Sequence, residues 1–224
     1  GTPFLYQGQE LGMTNIALNS IDKYIDVAAK SAYNTFFLKD SVERRLERIH
    51  VSTRDSARTP VQWTDGPNAG FTTGKPWFYV NPNYSYINAE TENRDPLSIL
   101  NFYRRCLALR KRSKTLLWGT YREYFRGSRR IYMYERKYED KDRGFEERIL
   151  VICSFSAQQI RYPAPRGYNM VKGKLILDNY ISEEEMKAAP AENTGAGIRG
   201  KLYPYEVQVW KFRKRLRPQI KSDH

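Results

Sequence analysis

The chain has 224 residues, 40% of them hydrophobic, enough for one large domain or two small ones with cores of their own. A mean hydropathy of -0.73 and the lack of an apolar run of about 20 residues exclude a membrane-spanning helix. The net charge of +13 raises nucleic-acid binding, but the cations are spread along the chain among Glu and Asp. No RRM or helix-turn-helix pattern accompanies them, so neither nucleic acid nor a membrane is an expected partner.

No signal-peptide pattern is visible, and the chain opens on Gly1 rather than Met, inside an apolar element. The expectation is that the natural N-terminus lies upstream. Cys106 and Cys153 are the only cysteines and fall on a predicted helix and in an apolar strand. Both read as small buried hydrophobes, which fits a reducing, cytoplasmic setting better than a disulfide framework. With His50 and His224 the only histidines, no zinc-ligand spacing exists. Nor is there a phosphate-cradling glycine loop or a Ser-His-Asp order, and no metal or cofactor is expected.

Residues 2–8 (TPFLYQG) are a short apolar run of β-formers ended by glycine, which predicts a buried strand. Gln9 and Glu10 follow at its C-terminal end, where Glu10 is expected as a buried carboxylate holding a neighbouring loop. Residues 20–33 read as a helix with Ile21, Tyr24, Ile25 and Ala28 on one face, and residues 42–50 as a second. Asp95-Pro96 predicts the start of the clearest helix, with Asp95 as N-cap and Pro96 in the first turn. Phe102, Cys106 and Leu109 lie on its broad apolar face, and Arg110, Lys111 and Arg112 oppose its negative dipole end.

From Gly119 the period changes to two. GTYREYFR, RRIYMYERKY, RILVICSF, KLILDNY and YEVQVWKF read as strands of an antiparallel sheet. ILVICSF is continuously apolar and predicts a central strand buried on both faces. Residues 182–188 read as one helical turn or a loop, residues 189–200 as flexible, and the last twelve as a frayed basic tail. The chain is therefore divided into residues 1–117 and 118–224.

Within the first of these halves lie residues 53–77, TRDSARTPVQWTDGPNAGFTTGKPW. It is too polar and too rich in Gly, Pro, Asn and Thr for a helix or a strand. Loops above about 15 residues without structure of their own are uncommon and usually functional. Arg54 and Arg58 sit four apart, with Asp55 beside the first. An arginine is a permanent cationic fork suited to carboxylates or rows of hydroxyls. Trp63, Phe71 and Trp77 add flat apolar faces that suit sugar rings. The other reading of the same residues is a solvated loop with an internal Arg–Asp pair.

TRDSARTPVQW, NAGFTTGKPW and VNPNYSYIN together resemble the loop after the eighth barrel strand in the α-amylase superfamily, glycoside hydrolase family 13. The likeness is to the oligo-1,6-glucosidase and α-glucosidase branch. GTPFLYQGQELGMTN looks like that branch's eighth strand, and GKLYPYEVQVWKF like the closing strand of its C-terminal β-domain. The resemblance implies an α/β plus all-β chain: the last strand–loop–helix portion of a (β/α)8 TIM barrel, then an antiparallel β-sandwich. A whole barrel needs about 250 residues, so this chain is expected to be a C-terminal portion.

The family is a retaining one, and retention requires two carboxyls about 5–5.5 Å apart. The family's nucleophile, acid/base and stabilising Asp precede the eighth strand, so no catalytic residue is expected here. The resemblance assigns Arg54 to the innermost subsite of an exo-acting enzyme, binding hydroxyls of the non-reducing-end glucose of an α-linked gluco-oligosaccharide. Gln9, Glu10, Asp55 and Arg58 are assigned to support of the loop. The family's Asp–Val–Glu run is matched by Asp26 and Val27, but Ala28 replaces the Glu. That departure bears on linkage preference. The missing N-terminal barrel portion is the implied partner. A non-catalytic carbohydrate-binding or interaction module is the alternative from another class.

Overall fold

Each helix of the N-terminal half begins at a side chain that accepts a backbone N–H. Asp26 caps α1 (Val27–Thr35), Ser41 caps α2 (Val42–Ser52) and Asn88 caps α3 (Ala89–Arg94). Such caps satisfy amides that have no partner within the helix. These assignments come from a computed structural model that describes residues 2–181 and 200–216. The expected features at 182–199 and in the last eight residues lie outside the described residues.

The chain divides into two compact units, Gly1–Asn101 and Phe102–His224. In the first, Ile16, Leu18, Tyr24, Ala29, Tyr33, Ile49 and Phe78 form the core. α2 presents Ile49 and Leu46 to it and keeps Arg44 and Glu47 outside, paired at 2.7 Å. Short 3-10 turns, Gln9–Leu11, Ile21–Lys23, Arg54–Arg58, Pro67–Gly70 and Pro82–Ser85, occupy much of the rest.

Two expectations fail here. Residues 2–7 are exposed and form no strand. A β-strand exists through ladder hydrogen bonds to neighbours, and no described strand pairs with this run. The helix expected over 20–33 is broken at Tyr24–Asp26, because the N–H groups of Ile25 and Asp26 are taken by Asp55 at 2.7 and 2.9 Å.

α4 (Ile99–Arg112) starts four residues after Asp95, not at Pro96. Asp95 closes the preceding turn by accepting from Leu97 N–H at 2.9 Å, and Ser98 Oγ accepts from Asn101 N–H at 3.1 Å. α5 (Lys114–Trp118) follows, capped by Ser113.

The second unit is built on a five-stranded antiparallel sheet. Its strands are β1 (Thr120–Tyr124), β2 (Ile131–Asp140), β3 (Phe145–Ser154), β5 (Lys174–Asp178) and β7 (Val207–Arg215), in the order β1-β2-β3-β7-β5. A two-stranded ladder of β4 (Ile160–Arg161) and β6 (Lys201–Leu202) pairs separately. All five expected strands are present. β3 is buried on both sides: Leu150 and Ile152 join Met133, Ile160, Leu202 and Trp210 on one face. Ile149 and Val151 join Leu177 and Val209 on the other, against Phe102, Cys106, Leu109 and Leu116.

That second contact explains where the units divide. The sequence reading places the division after residue 117, but α4 from Phe102 onward packs on the sheet. Cys106 and Cys153 are free and half-buried there, and burial pushes both thiols up to about 11. In β5 the register shifts between Leu175 and Leu177. One extra residue reverses the faces that follow it, so Leu175 joins one core and Leu177 the other.

Candidate functional site

The segment from residue 53 to 77 is neither α-helix nor strand, and its polar side chains build it from within. Thr53 Oγ accepts the Asp55 N–H at 3.2 Å and opens the turn Arg54–Arg58. Asn68 and Ala69 adopt left-handed backbone angles, φ 53° and 58°, with Gly70 following at 68°. The Ala69 carbonyl accepts from the N–H of Trp63 and Thr64 at 2.8 and 3.1 Å, and Asn68 Nδ2 donates to Thr72 and Gly74 carbonyls. Buried Gln62 donates to Asn83 Oδ1 at 3.1 Å and to the Ile87 carbonyl. Asn81 reaches the Thr14 carbonyl at 3.0 Å. The asparagines of VNPNYSYIN are thus scaffold.

At the head of this segment two carboxylates organise two cations. Asp55 is fully buried. Its Oδ2 accepts the Ile25 and Asp26 N–H groups, and its Oδ1 faces Arg58 Nη1 at 3.4 Å. Burying a charge is tolerable only when such donors surround it. Asp55 and Arg58 thus meet at the head of the loop.

Asp26, 3% exposed, holds Arg54. Its Oδ1 accepts Arg54 Nη2 at 2.8 Å and Nε at 3.3 Å, and the Ala28 N–H at 3.1 Å. Its Oδ2 accepts the Arg54 N–H at 2.9 Å and the Thr53 hydroxyl at 3.4 Å. The Arg54 guanidinium, ahead of the backbone donors, holds the Asp26 carboxyl well below the usual carboxylate range, although burial opposes this. The same pairing raises the pKa of Arg54.

Arg54 is nonetheless 63% exposed, and its Nη1 makes no hydrogen bond among the described residues. The arrangement therefore fixes the plane of the fork on one side and leaves Nη1 available to an incoming acceptor. Trp63, Phe71 and Trp77 are also exposed. Ala28 lies exposed in the first turn of α1, bonded to Asp26 through its backbone.

Among the described residues, neither Gln9 nor Glu10 hydrogen-bonds to residues 53–77. Gln9 Oε1 accepts from Tyr6 N–H at 3.4 Å, and Glu10 is half-buried in the turn Gln9–Leu11. Tyr6 is the neighbour that reaches the loop, its hydroxyl donating to the Ala57 carbonyl at 2.9 Å. Sequence reasoning overlooked Tyr6 and the role of Asp26. For Asp26 a signal existed: an aspartate directly before a helical stretch is an N-cap, fixed in place and able to accept from a second group.

Among the described residues, no group of three or more His, Cys, Asp or Glu is placed to hold a metal ion. No helix there is long and apolar enough to cross a membrane.

A family model of the α-amylase catalytic domain matches residues 1–119. The chain is 34% identical over 215 residues to an oligo-1,6-glucosidase of Bacillus cereus, covering 95% of this chain and 36% of the relative. It is 35% identical over 222 residues to an oligo-1,6-glucosidase of Parageobacillus thermoglucosidasius, covering 95% and 36%. The crystal structure of a trehalose-6-phosphate hydrolase from Bacillus licheniformis superposes with a TM-score of 0.80 at 32% identity, covering 96% of this chain and 36% of that one. The chain thus spans about a third of the length of the curated relatives it matches.

Proposed function

The chain belongs to the α-amylase catalytic-domain family, and from that membership we propose that it is the substrate-recognising portion of a retaining, exo-acting α-glucosidase. Its substrates are short α-linked gluco-oligosaccharides, cleaved from the non-reducing end. In this reading the residues up to α4 are the last strand–loop–helix portion of a (β/α)8 barrel. The sheet unit is the C-terminal β-domain in its sandwich form. The two carboxyls that retention requires come from the preceding barrel units, and this chain supplies none.

The observation that carries the reading is the held Arg54. Asp26 engages Nη2, Nε and the backbone N–H, while Nη1 is left open on a largely exposed side chain. A charged fork fixed in this way selects hydroxyl geometry, because a substrate lacking the matching hydroxyl leaves a donor unpaired at a cost of about 1–3 kcal/mol. It also closes the subsite beyond the terminal glucose, which makes cleavage exo-acting. Ala28, where the branch carries Glu, removes a carboxylate next to Asp26 and alters preference among linkages.

Two measurements test this. The purified 224-residue chain should not hydrolyse nitrophenyl α-glucoside or isomaltose; turnover that follows the protein peak through repurification would refute the assignment of the carboxyls. Joined to the first seven barrel units of a matched relative, the chain should support hydrolysis, and Arg54→Ala should lower kcat/KM about 30- to 150-fold. Activity within about threefold of the parent hybrid would remove Arg54 from the subsite.

A further inference from the structure

The sheet face under α4 and α5 changes character along β3. Ile149 and Val151 pack under the helices, whereas Glu147, on the same face by alternation, meets α5 through a polar contact with Thr115, and Phe145 follows it on that face. Across the ladder, Lys211 is opposite Ile149 and Arg213 opposite Glu147, while Tyr138 and Asp140 of β2 are opposite Glu147 and Phe145. A cavity of about 370 Å³ opens there, with Leu109 and Ile176 contributing apolar walls. That volume is at the lower end of small-molecule sites, about 300–1,000 Å³.

Five cations line it, Arg112, Lys114, Arg143, Lys211 and Arg213, against two carboxylates, Asp140 and Glu147. Three of the five are engaged. Lys114 and Arg143 approach Asp140 at 3.9 and 4.0 Å, and Arg213 lies 3.6 Å over the Phe145 ring. Glu147 accepts the Thr115 hydroxyl at 2.7 Å. Arg112 and Lys211 have no ion-pair partner among the described residues, though both border the cavity. Like charges collected around a concave space, with too few anions to neutralise them, raise the local concentration of an anion. Apolar walls beside them favour one with a ring or carbon skeleton.

We propose that this cavity binds a phosphorylated monosaccharide, its phosphate between Arg112 and Lys211 and its ring against the apolar wall of Leu109, Ile176 and Phe145. The site lies wholly within Phe102–His224 and shares no residue with the Arg54 cluster. It is independent of the glucosidase reading.

The test is a titration of the 224-residue chain by calorimetry, at constant ionic strength, with glucose 6-phosphate, inorganic phosphate and glucose. Glucose 6-phosphate should bind saturably at one site, inorganic phosphate about tenfold more weakly, and glucose not measurably, since a charged hydrogen-bonding pair carries most of the affinity. Arg112→Ala with Lys211→Ala should weaken glucose 6-phosphate binding about tenfold or more without shifting the urea midpoint. Arg112→Ala alone, at the exposed end of a helix, should act in the same direction and serves if the double variant fails to fold. Amide shifts on titration should centre on Thr115, Tyr138 and Glu147. Absence of saturable binding, equal affinity for phosphate and the sugar phosphate, or affinity indifferent to both variants would overturn the proposal.

Discussion

Asp26 grips Arg54 at both ends of the residue: one carboxylate oxygen takes the guanidinium Nη2 at 2.8 Å and the other takes the backbone N–H at 2.9 Å. The two residues are 28 positions apart. A side chain held only at its tip would still swing with its loop, whereas one held at tip and root keeps its direction.

Removing the acid should therefore cost order as well as charge. Asp26→Ala leaves the N–H groups of Arg54 and Ala28 and the Thr53 hydroxyl short of an acceptor. Losing such buried acceptance costs about 1–3 kcal/mol, and little of it comes from the exposed guanidinium, which solvent screens. The depressed carboxyl sets the pH sign: its stabilisation is present above about 4, the unfolded value, and is lost as pH falls below that. Urea titrations at pH 7 and pH 3 should show a smaller penalty for Asp26→Ala at the lower pH. The same penalty at both would contradict the pairing.

Asp178 has the opposite sign. It is buried beside Glu206, and burial raises its carboxyl to about 7, with the charge of Arg105 opposing the rise. Unfolded, it releases its proton near about 4, so between those values the folded state binds more protons and stability falls as pH rises. The urea midpoint should be higher at pH 5 than at pH 8, and Asp178→Asn should shrink that difference. A difference of unchanged size in the variant would assign the effect to other groups.

Gly119 packs where no side chain fits. A Cβ there would stand 2.4 Å from the Thr115 carbonyl oxygen and 2.8 Å from that of Lys137, both backbone atoms. Gly119→Ala should destabilise the sheet unit by about 1–3 kcal/mol, the usual range for overpacking. A thermal scan of the variant checks this; an unchanged Tm would mean α5 and β2 separate freely.

Protection from exchange should follow the partners that each segment has. Amides of β3, hydrogen-bonded on both sides to β2 and β7, should exchange slowly, and those of residues 2–7 within the dead time. Limited proteolysis should leave a resistant piece that begins near residue 99, because α4 packs on the sheet through Phe102, Cys106 and Leu109. A resistant piece starting after α5 would show that this packing is weak.

Local pattern alone determined much of this protein. Alternation over 119–212 placed every strand of the large sheet, and the unbroken apolar run of β3 told of burial on both faces. These features are legible because side-chain period and composition respond directly to which face is wet. The loop's motifs likewise pointed to Arg54, Asp55 and Arg58 and to the family. Tertiary structure decided the rest. TPFLYQG has the composition of a strand, yet a strand is a relation between segments, and this run has no ladder partner among the described residues. The helix expected over 20–33 was interrupted by Asp55, some thirty positions away, which claims two of its amides. The same separation hid Asp26 as the holder of Arg54. In β5 one extra residue sent Leu175 and Leu177 to opposite cores, which no alternation rule anticipates. Propensity is set by neighbours in sequence, but a hydrogen bond is made with whichever group the fold brings within 3 Å or so, and that choice was the fold's.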